Sequence, residues 1–430
     1  MSKDTRIELR NKVIYSVYVR NHSKEGTFKG VENDLDRIKE LGCNILWLLP
    51  IHTIGQINRK GNLGSPYSIE NYRKINSEYG TLEDFKHLIE ETHKRGMKLI
   101  IDVVYNHTSY NSAVFIEHPE WFYRKANGEL GNKVGDWVDI IDLDYGNESL
   151  WDYQINTLKY WISVGVDGFR CDVAPLVPLD FWIRARKEID IINEDAIWLC
   201  ESIDTEFAKY LNENNIKFNS DSEMYQAFDI TYDYDTYKIF LKYLRGEVSL
   251  EYLIEKKRMQ EYIYPANYIK LRFIENHDQL RAASLLSEEI DLKNWTSFMF
   301  FEKGMALIYS GQEYKDNNLP SLFEKDLINW YRDKDYGNFI KMLAKIKQEN
   351  IFAIGRYEIL ESQKQGIIEA RYSYKDEKLI GIFNIERKIG EYNLNIKDGQ
   401  YINLIDEKVI EIKNGKIKLI KGPIIIKYKI

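Results

Sequence analysis

Short apolar runs alternate along most of the chain with longer stretches in which apolar residues recur at helical spacing. Runs rich in β-branched and aromatic residues, divided by amphipathic stretches, are typical of parallel βα units. Eight such units predict an α/β fold with a closed TIM (β/α)₈ barrel, in which functional residues lie at the carboxyl ends of the strands. The predicted strands begin at Val13, Asn44, Met97, Asp167, Ile197, Phe228, Tyr268 and Met305.

The stretches between the predicted strands contain residues that are typical of helix ends. In "GVENDLDRIKELG", four apolar residues recur at helical spacing and Gly42 is the expected end of the helix. In "TLEDFKHLIEETHKRG", Thr81 is the expected N-cap, acidic residues follow in the first turn, and Gly96 is the expected stop. Both stretches therefore predict amphipathic helices.

Two regions interrupt the alternation. Residues 107–145 are punctuated by Asn, Gly and Pro and are too long for an ordinary βα loop, so they predict a short subdomain inserted after strand 3. From residue 353 onward, β-type runs such as "KLIGIFNI" and "GPIIIKYKI" follow one another, divided by polar turns. The predicted domains are a catalytic barrel over 1–106 and 146–352, the insertion over 107–145, and an antiparallel β-sandwich over 353–430.

Composition narrows the classes of protein that this chain can represent. Of 430 residues, 44% are apolar, and the net charge of -7 is spread evenly, so no basic surface for nucleic acid is expected. No stretch is apolar enough for a membrane span, and the charged start lacks the apolar core of a secretion signal, so a cytoplasmic location is expected. Cys43, Cys171 and Cys200 lie far apart in apolar runs and are expected to be reduced core residues.

Acidic residues stand where predicted strands end. Asp102 follows strand 3, Asp172 follows strand 4, Glu201 follows strand 5 and Asp278 follows strand 7. Because the carboxyl ends of all barrel strands open at one mouth, we expect these carboxyl groups to converge.

This set of side chains suits the cleavage of a glycosidic bond, which needs one protonated and one ionised carboxyl group. Arg170 and Asp172 are two positions apart on one strand, so their side chains lie on the same face of it. There the arginine cation would keep the aspartate ionised. The apolar surroundings of Glu201 favour its protonated form. We therefore expect Asp172 to act as nucleophile and Glu201 as general acid and base, with His107 and His277 beside them.

These residues resemble the conserved regions of the α-amylase family of glycoside hydrolases, glycoside hydrolase family 13. The matching stretches occur in the family's order from about Tyr15 to Glu313, and the terminal β-domain fits as well. The matches are "DVVYNH" from Asp102, "GFRCD" from Gly168, "LCES" ending at Ser202, "FIENHD" from Phe273, "DLDYGN" from Asp142 and "YSGQE" from Tyr309.

The resemblance implies a retaining mechanism on α-linked glucans. Asp172 would form a covalent glucosyl intermediate, Glu201 would act as acid and base, and Asp278 would stabilise the charge that develops on the sugar ring. Tyr67, in "GSPYSIENY", resembles the family's aromatic platform under the sugar. The substrate-binding residues implied by the resemblance are Tyr67, Asp102, His107, Arg170 and His277.

The chain also departs from the family pattern. Many α-amylases carry a Lys-His pair after the nucleophile, where this chain has Leu176 and Val177. The expected chemistry requires no cofactor, and calcium is left open: Asn106 matches a calcium ligand of the family, with Asp136 and Asp139 as candidate partners. Because a calcium site needs six or more oxygen ligands, these three residues alone do not complete one.

The leading functional hypothesis is hydrolysis of α-1,4 links in starch-derived malto-oligosaccharides, with an α-glucan as the partner and neither nucleic acid nor a membrane. Alternatives within the same family are an exo-acting α-glucosidase and a transglycosylase of the glucanotransferase or trehalose-synthase type. They share the catalytic acids and differ in loops, so motifs do not separate them. A catalytically inactive glucan-binding homologue is a third hypothesis, and the intact acids argue against it. Oligomeric state is left open.

Overall fold

A computed structural model describes residues 5–134, 137–333 and 335–429. The strands are β1 Val13–Val17, β2 Ile45–Leu48, β3 His52–Ile54, β4 Ile69–Ile75, β5 Lys98–Val103, β6 His107–Thr108, β7 Ile141–Asp142, β8 Gly168–Cys171, β9 Ile197–Cys200, β10 Ile230–Tyr232, β11 Lys270–Arg272, β12 Met305–Tyr309, β13 Arg356–Ile359, β14 Ile367–Tyr374, β15 Glu377–Asn384, β16 Glu391–Asn393, β17 Gly399–Ile402, β18 Val409–Lys413, β19 Lys416–Lys418 and β20 Ile424–Lys429. The helices are α1 Val19–His22, α2 Phe28–Glu32, α3 Leu35–Glu40, α4 Leu82–Lys94, α5 Ala113–Glu117, α6 Glu148–Val164, α7 Leu179–Asp190, α8 Thr205–Glu213, α9 Asp221–Met224, α10 Tyr234–Leu244, α11 Leu250–Ile263, α12 Ala282–Leu285, α13 Glu289–Phe301, α14 Asp335–Lys347 and α15 Ile351–Ile354.

Eight parallel strands close into a barrel in the order β1, β12, β11, β10, β9, β8, β5, β2. Each of the eight predicted strands overlaps one of them, so the predicted (β/α)₈ barrel is confirmed. The register between β5 and β8 sets Asp102 directly beside Arg170, and the register between β8 and β9 sets Cys171 beside Cys200. The carboxyl ends of these three strands are therefore level with one another.

The packing of the chain distinguishes two compact units. The first contains Thr5, Ile14–Tyr234 and Pro320–Ile328, and the second contains Arg6–Val13, Asp235–Leu319 and the chain from Asn329 onward. The domain boundaries predicted from the sequence stay predictions.

Within the first unit, two small antiparallel sheets lie outside the barrel. The β3–β4 hairpin follows β2 and was not predicted, although "IENYRKI" has β-type composition. The β6–β7 pair lies in the predicted insertion, with β6 at its start and β7 near its end, and His107 pairs with Asp142. The insertion is thereby tied at both ends.

The two helices singled out in the sequence form with one difference. Thr81 is the N-cap of α4 as predicted, and in addition it makes a capping box with Asp84. Gly96 follows the last turn with a φ of 65°. The earlier stretch was predicted as one helix and is instead two, α2 and α3. Asp34 lies at the break, and its side chain pairs with His22 at 2.9 Å and with Arg37 at 2.7 Å.

In the second unit, the C-terminal residues form the predicted β-sandwich. One sheet has the order β13, β14, β15, β20 and the other has the order β16, β19, β18, β17. Apolar side chains from both sheets, among them Ile382, Leu394, Ile412 and Ile426, share one buried core. The alternation of apolar and polar residues along β18 and β19 has the period expected of strands buried on one face.

Two further sequence expectations concern burial. Cys43, Cys171 and Cys200 all lie within the described ranges and are buried thiols, as predicted. Of the helices in those ranges, none has both the length and the apolar character needed to cross a bilayer.

The close approach of β8 to β9 depends on Gly168. Its φ is 154°, and a Cβ atom at this position would lie 2.2 Å from the carbonyl oxygen of Ile197. Gly168→Ala should therefore lower the free energy of unfolding by more than about 3 kcal/mol, measured by urea denaturation.

The matched control is Gly246→Ala. Gly246 also has a positive φ, of 73°, but a Cβ atom added there would have no heavy atom within 4 Å. The control therefore carries only the conformational cost of about 1–2 kcal/mol. Equal losses in the two variants would contradict a steric role for Gly168.

Candidate active site

Six of the predicted site residues lie together in the first unit. Asp102 is in β5, Arg170 is in β8, and Asp172 and Glu201 directly follow β8 and β9. His107 begins β6, and Tyr67 lies in the loop between β3 and β4. Their contacts join the ends of the barrel strands to the two small sheets.

The Arg170 guanidinium is fully buried and bridges three carboxyl groups. Its Nη1 lies 2.8 Å from Asp102 Oδ1 and 2.9 Å from Asp172 Oδ1, and its Nη2 lies 2.7 Å from Glu201 Oε1. The sequence placed Arg170 beside Asp172 only. One buried cation therefore orients the carboxyl groups at the ends of three adjacent strands.

Aromatic rings surround this guanidinium. It lies 5.3 Å from the ring centroid of Trp47, 5.7 Å from that of Tyr67 and 5.5 Å from that of Tyr232. Arg170 Nε also donates to the Tyr232 hydroxyl at 3.1 Å. Trp47 and Tyr232 were missed in the sequence because only charged residues at strand ends were considered, and Tyr232 is the last residue of β10.

Asp102 is the most deeply buried of the three acids. Burial raises the pKa of its carboxyl to about 8, although the Arg170 guanidinium acts in the opposite direction. The Tyr67 hydroxyl donates to Asp102 Oδ2 at 3.2 Å. Because three carboxyl groups share one cation in a buried space, burial favours a proton on Asp102.

Glu201 has a second anchor besides Arg170. The backbone N–H of Val173 donates to Glu201 Oε2 at 2.8 Å. Val173 is β-branched yet lies in the left-handed region, with φ 35° and ψ 41°. Such a backbone conformation costs about 1–3 kcal/mol and recurs at functional sites, and here it turns the N–H toward the carboxylate.

His107 lies beside the predicted nucleophile. Its Nε2 is 3.9 Å from Asp172 Oδ2, and its carbonyl oxygen accepts a hydrogen bond from the Tyr72 hydroxyl at 2.9 Å. The β6–β7 pairing fixes its backbone. His107 is thus held by the inserted segment and by β4 at once.

The remaining two predicted residues belong to the second unit. His277 and Asp278 follow β11 in one loop, and His277 Nε2 lies 3.1 Å from Asp278 Oδ2. The Asp278 N–H donates to the side chain of Asn276 at 2.9 Å, and the Asp278 side chain is 39% exposed. His277 is buried, so the histidine orients a carboxylate that solvent reaches.

Two of the three residues considered for calcium have other partners in the structure. Asn106 Nδ2 lies 3.2 Å from His107 Nδ1 and donates to Asp142 Oδ1 at 3.4 Å, so both contacts involve the amide nitrogen. Asp139 is buried and pairs with the Lys60 ammonium at 2.8 Å, so its charge already has a cation. Asp136 lies outside the described residues, and the part of the chain that the structure describes contains no cluster of three His, Cys, Asp or Glu residues able to hold a metal.

The chain is similar to known proteins over almost its whole length. The chain matches the family described as "Alpha amylase, catalytic domain" over residues 14–137 and 135–353, and "Bacterial Alpha amylase C-terminal domain" over residues 358–426. Among solved structures, an α-amylase from Lactobacillus plantarum is 45% identical with a TM-score of 0.95, and the alignment covers 98% of this chain and 100% of that one.

Two further relatives differ in what their names describe. A maltogenic α-amylase from Thermotoga neapolitana is 34% identical with a TM-score of 0.87, over 98% of this chain and 100% of that one. An α-1,4-glucan:maltose-1-phosphate maltosyltransferase from Picrophilus torridus is 27% identical over 87% of this chain and 60% of its own length. The family match covers most of the chain and includes every strand of the barrel except part of the first. The chain therefore belongs to the α-amylase family of glycoside hydrolases and is an enzyme that acts on glucans.

Proposed function

We propose that this enzyme hydrolyses α-1,4-glucosidic bonds in malto-oligosaccharides with retention of anomeric configuration. The observation that carries the proposal is the bridging of Asp172 and Glu201 by one guanidinium. Retaining enzymes hold their two carboxyl groups about 5–5.5 Å apart, and inverting enzymes leave room for a water between them. Two carboxyl groups bound to one small cation favour the closer arrangement.

The proposed reaction proceeds in two displacements. In the first, Asp172 attacks the anomeric carbon while Glu201 gives its proton to the leaving glycosidic oxygen, which releases one sugar chain. In the second, Glu201 takes a proton from water, the hydroxide forms the new bond to the anomeric carbon, and Asp172 departs. Arg170 orients both acids, and Asp278 is proposed to stabilise positive charge on the ring.

Replacement of the acid and base tests this proposal. Glu201→Gln should lower kcat on maltoheptaose by about 10²–10⁴-fold, because the amide neither donates nor accepts the required proton. Glu213→Gln, at an exposed position on the last turn of α8, should retain wild-type activity. Proton NMR of the wild-type reaction should show the α-anomer first; the β-anomer as first product would exclude retention.

A transglycosylase is the second candidate, because a maltosyltransferase is among the relatives. Transfer and hydrolysis share the covalent intermediate and differ in whether sugar or water accepts the glucosyl unit. The product profile from maltoheptaose distinguishes them: chains longer than the substrate indicate transfer, and glucose alone from the first minutes indicates an exo-acting α-glucosidase.

The raised pKa of Asp102 predicts a pH dependence of stability. Its folded-state pKa of about 8 exceeds the unfolded value, so the folded protein binds one more proton than the unfolded protein over the interval between them. The free energy of unfolding should therefore fall as pH rises from about 4 to about 8.

Asp102→Asn provides the measurement, because Asn resembles the protonated acid in shape and cannot ionise. Urea unfolding of both proteins between pH 5 and 9 should show a shallower decline for the variant. Parallel curves would mean that Asp102 is ionised in the folded protein throughout this range.

We also propose that the enzyme does not depend on calcium. The Lys60 ammonium neutralises the Asp139 carboxylate, which is 4% exposed. The melting temperature should therefore be the same with excess chelator and with added calcium. Lys60→Met should lose about 1–3 kcal/mol of stability, because it leaves a buried acceptor without its cation. A chelator-induced drop in the wild-type melting temperature would contradict this proposal.

A further inference from the structure

Three aromatic side chains continue outward from His107 within the first unit. The Trp137 ring centroid lies 5.6 Å from that of His107 and 6.3 Å from that of Phe207. The Phe207 ring lies 6.2 Å from that of Tyr210, with an angle of 13° between their planes. Trp137, Phe207 and Tyr210 are referred to below as the aromatic strip.

The aromatic strip differs from the aromatic core in its exposure. Trp161, Trp182 and Trp198 are fully buried. Trp137 and Phe207 are half-buried, and Tyr210 is 38% exposed. Aromatic rings that contribute only to packing would gain stability from full burial, whereas rings that bind a ligand keep a face or an edge available.

The strip is also held in place by polar contacts. The Tyr210 hydroxyl donates to the carbonyl oxygen of Val134 at 2.9 Å and so ties α8 to the inserted segment. Asp204 caps α8 by accepting the N–H groups of Glu206 and Phe207, each at 2.9 Å. These contacts fix the rings before a ligand arrives, which lowers the entropy lost on binding.

The position of the strip along the chain indicates which part of a substrate it meets. The helix that carries Phe207 and Tyr210 begins four residues after Glu201, the proposed proton donor. The donor protonates the leaving oxygen, so the departing sugar chain passes on its side of the site. His107, which adjoins the inner end of the strip, lies 3.9 Å from Asp172.

We infer that the aromatic strip binds the leaving-group portion of an α-glucan chain, several glucosyl units long, with the apolar faces of its sugars against the rings. This inference rests on the proposed function, and it adds that the enzyme prefers oligosaccharides over short substrates. The aromatic strip provides a binding surface for sugar units beyond those that contact the catalytic acids. Its rings contribute binding without taking part in bond cleavage.

The test compares substrates of different length. In Phe207→Leu and Tyr210→Ala, the ratio of kcat/KM for maltoheptaose to that for maltotriose should fall by about fivefold. Tyr210→Phe should keep most of the wild-type ratio, because the ring remains and only its hydrogen bond to Val134 is lost. Tyr262→Ala, at a tyrosine that is 87% exposed on α11, is the matched control and should leave the ratio unchanged.

The position of cleavage tests the assigned side. With maltoheptaose labelled at its reducing end, loss of binding on the leaving-group side should move cleavage toward that end and shorten the labelled products. Longer labelled products would overturn the assignment to the leaving-group side. An unchanged length ratio in both Phe207→Leu and Tyr210→Ala would overturn the role of the strip.

Binding to an inactive variant separates this inference from the proposed reaction. Calorimetry of maltoheptaose with Glu201→Gln should show weaker binding when Phe207→Leu or Tyr210→Ala is added, and equal binding would reject the strip. If the wild type cleaves no malto-oligosaccharide but the calorimetric difference is found, the proposed hydrolysis fails while the binding role of the strip stands.

Discussion

The arrangement of this active site depends on one guanidinium that contacts three carboxyl groups. Arg170 lies among Asp102, Asp172 and Glu201, at hydrogen-bonding distance from each. Without a cation, three acids at neighbouring strand ends would repel one another, and burial would add to the cost of each charge. The register of β5, β8 and β9 is what brings all three within reach of the same side chain. Barrel closure and catalytic geometry are thus coupled through these strands.

The three acids are not equivalent, because their surroundings differ. Asp102 is fully buried and has Tyr67 as an additional donor, whereas Asp172 and Glu201 retain some exposure. One cation cannot balance three negative charges, so the cluster favours a bound proton, and the deepest acid is where burial most favours it. Glu201, in contrast, receives both a guanidinium and the Val173 N–H. Glu201 is therefore held at both carboxyl oxygens, which fixes the orientation of the proposed proton donor.

The barrel supplies the acids, and the elements outside it supply the surroundings of the substrate. Tyr67 comes from the loop between β3 and β4, and Trp137 comes from the inserted segment beside His107. Phe207 and Tyr210 come from α8. These parts vary in length and composition more readily than strands do, because loops carry fewer packing constraints. Relatives that share the barrel therefore include enzymes with different named activities.

The sequence by itself determined the parts of this protein that depend on local periodicity and on residue type. Alternation of strand and helix patterns predicted the barrel, and the loss of helical period after residue 353 predicted the β-sandwich. Acids at strand ends indicated glycosidic chemistry, since parallel strands in a barrel bring their carboxyl ends to one mouth. The break between α2 and α3 and the β3–β4 hairpin were not predicted. The apolar spacing continues across the break, and the hairpin is defined by backbone pairing between two separate segments.

Only the tertiary structure decided how the site residues meet. Arg170 was expected beside one acid and contacts three, because strand register rather than sequence spacing sets its neighbours. Tyr232 joins the guanidinium from a position 62 residues further along the chain, and Lys60 likewise reaches Asp139 from a distant part of the sequence. Such contacts form only when the chain folds and brings distant segments together, so no local sequence pattern predicts them.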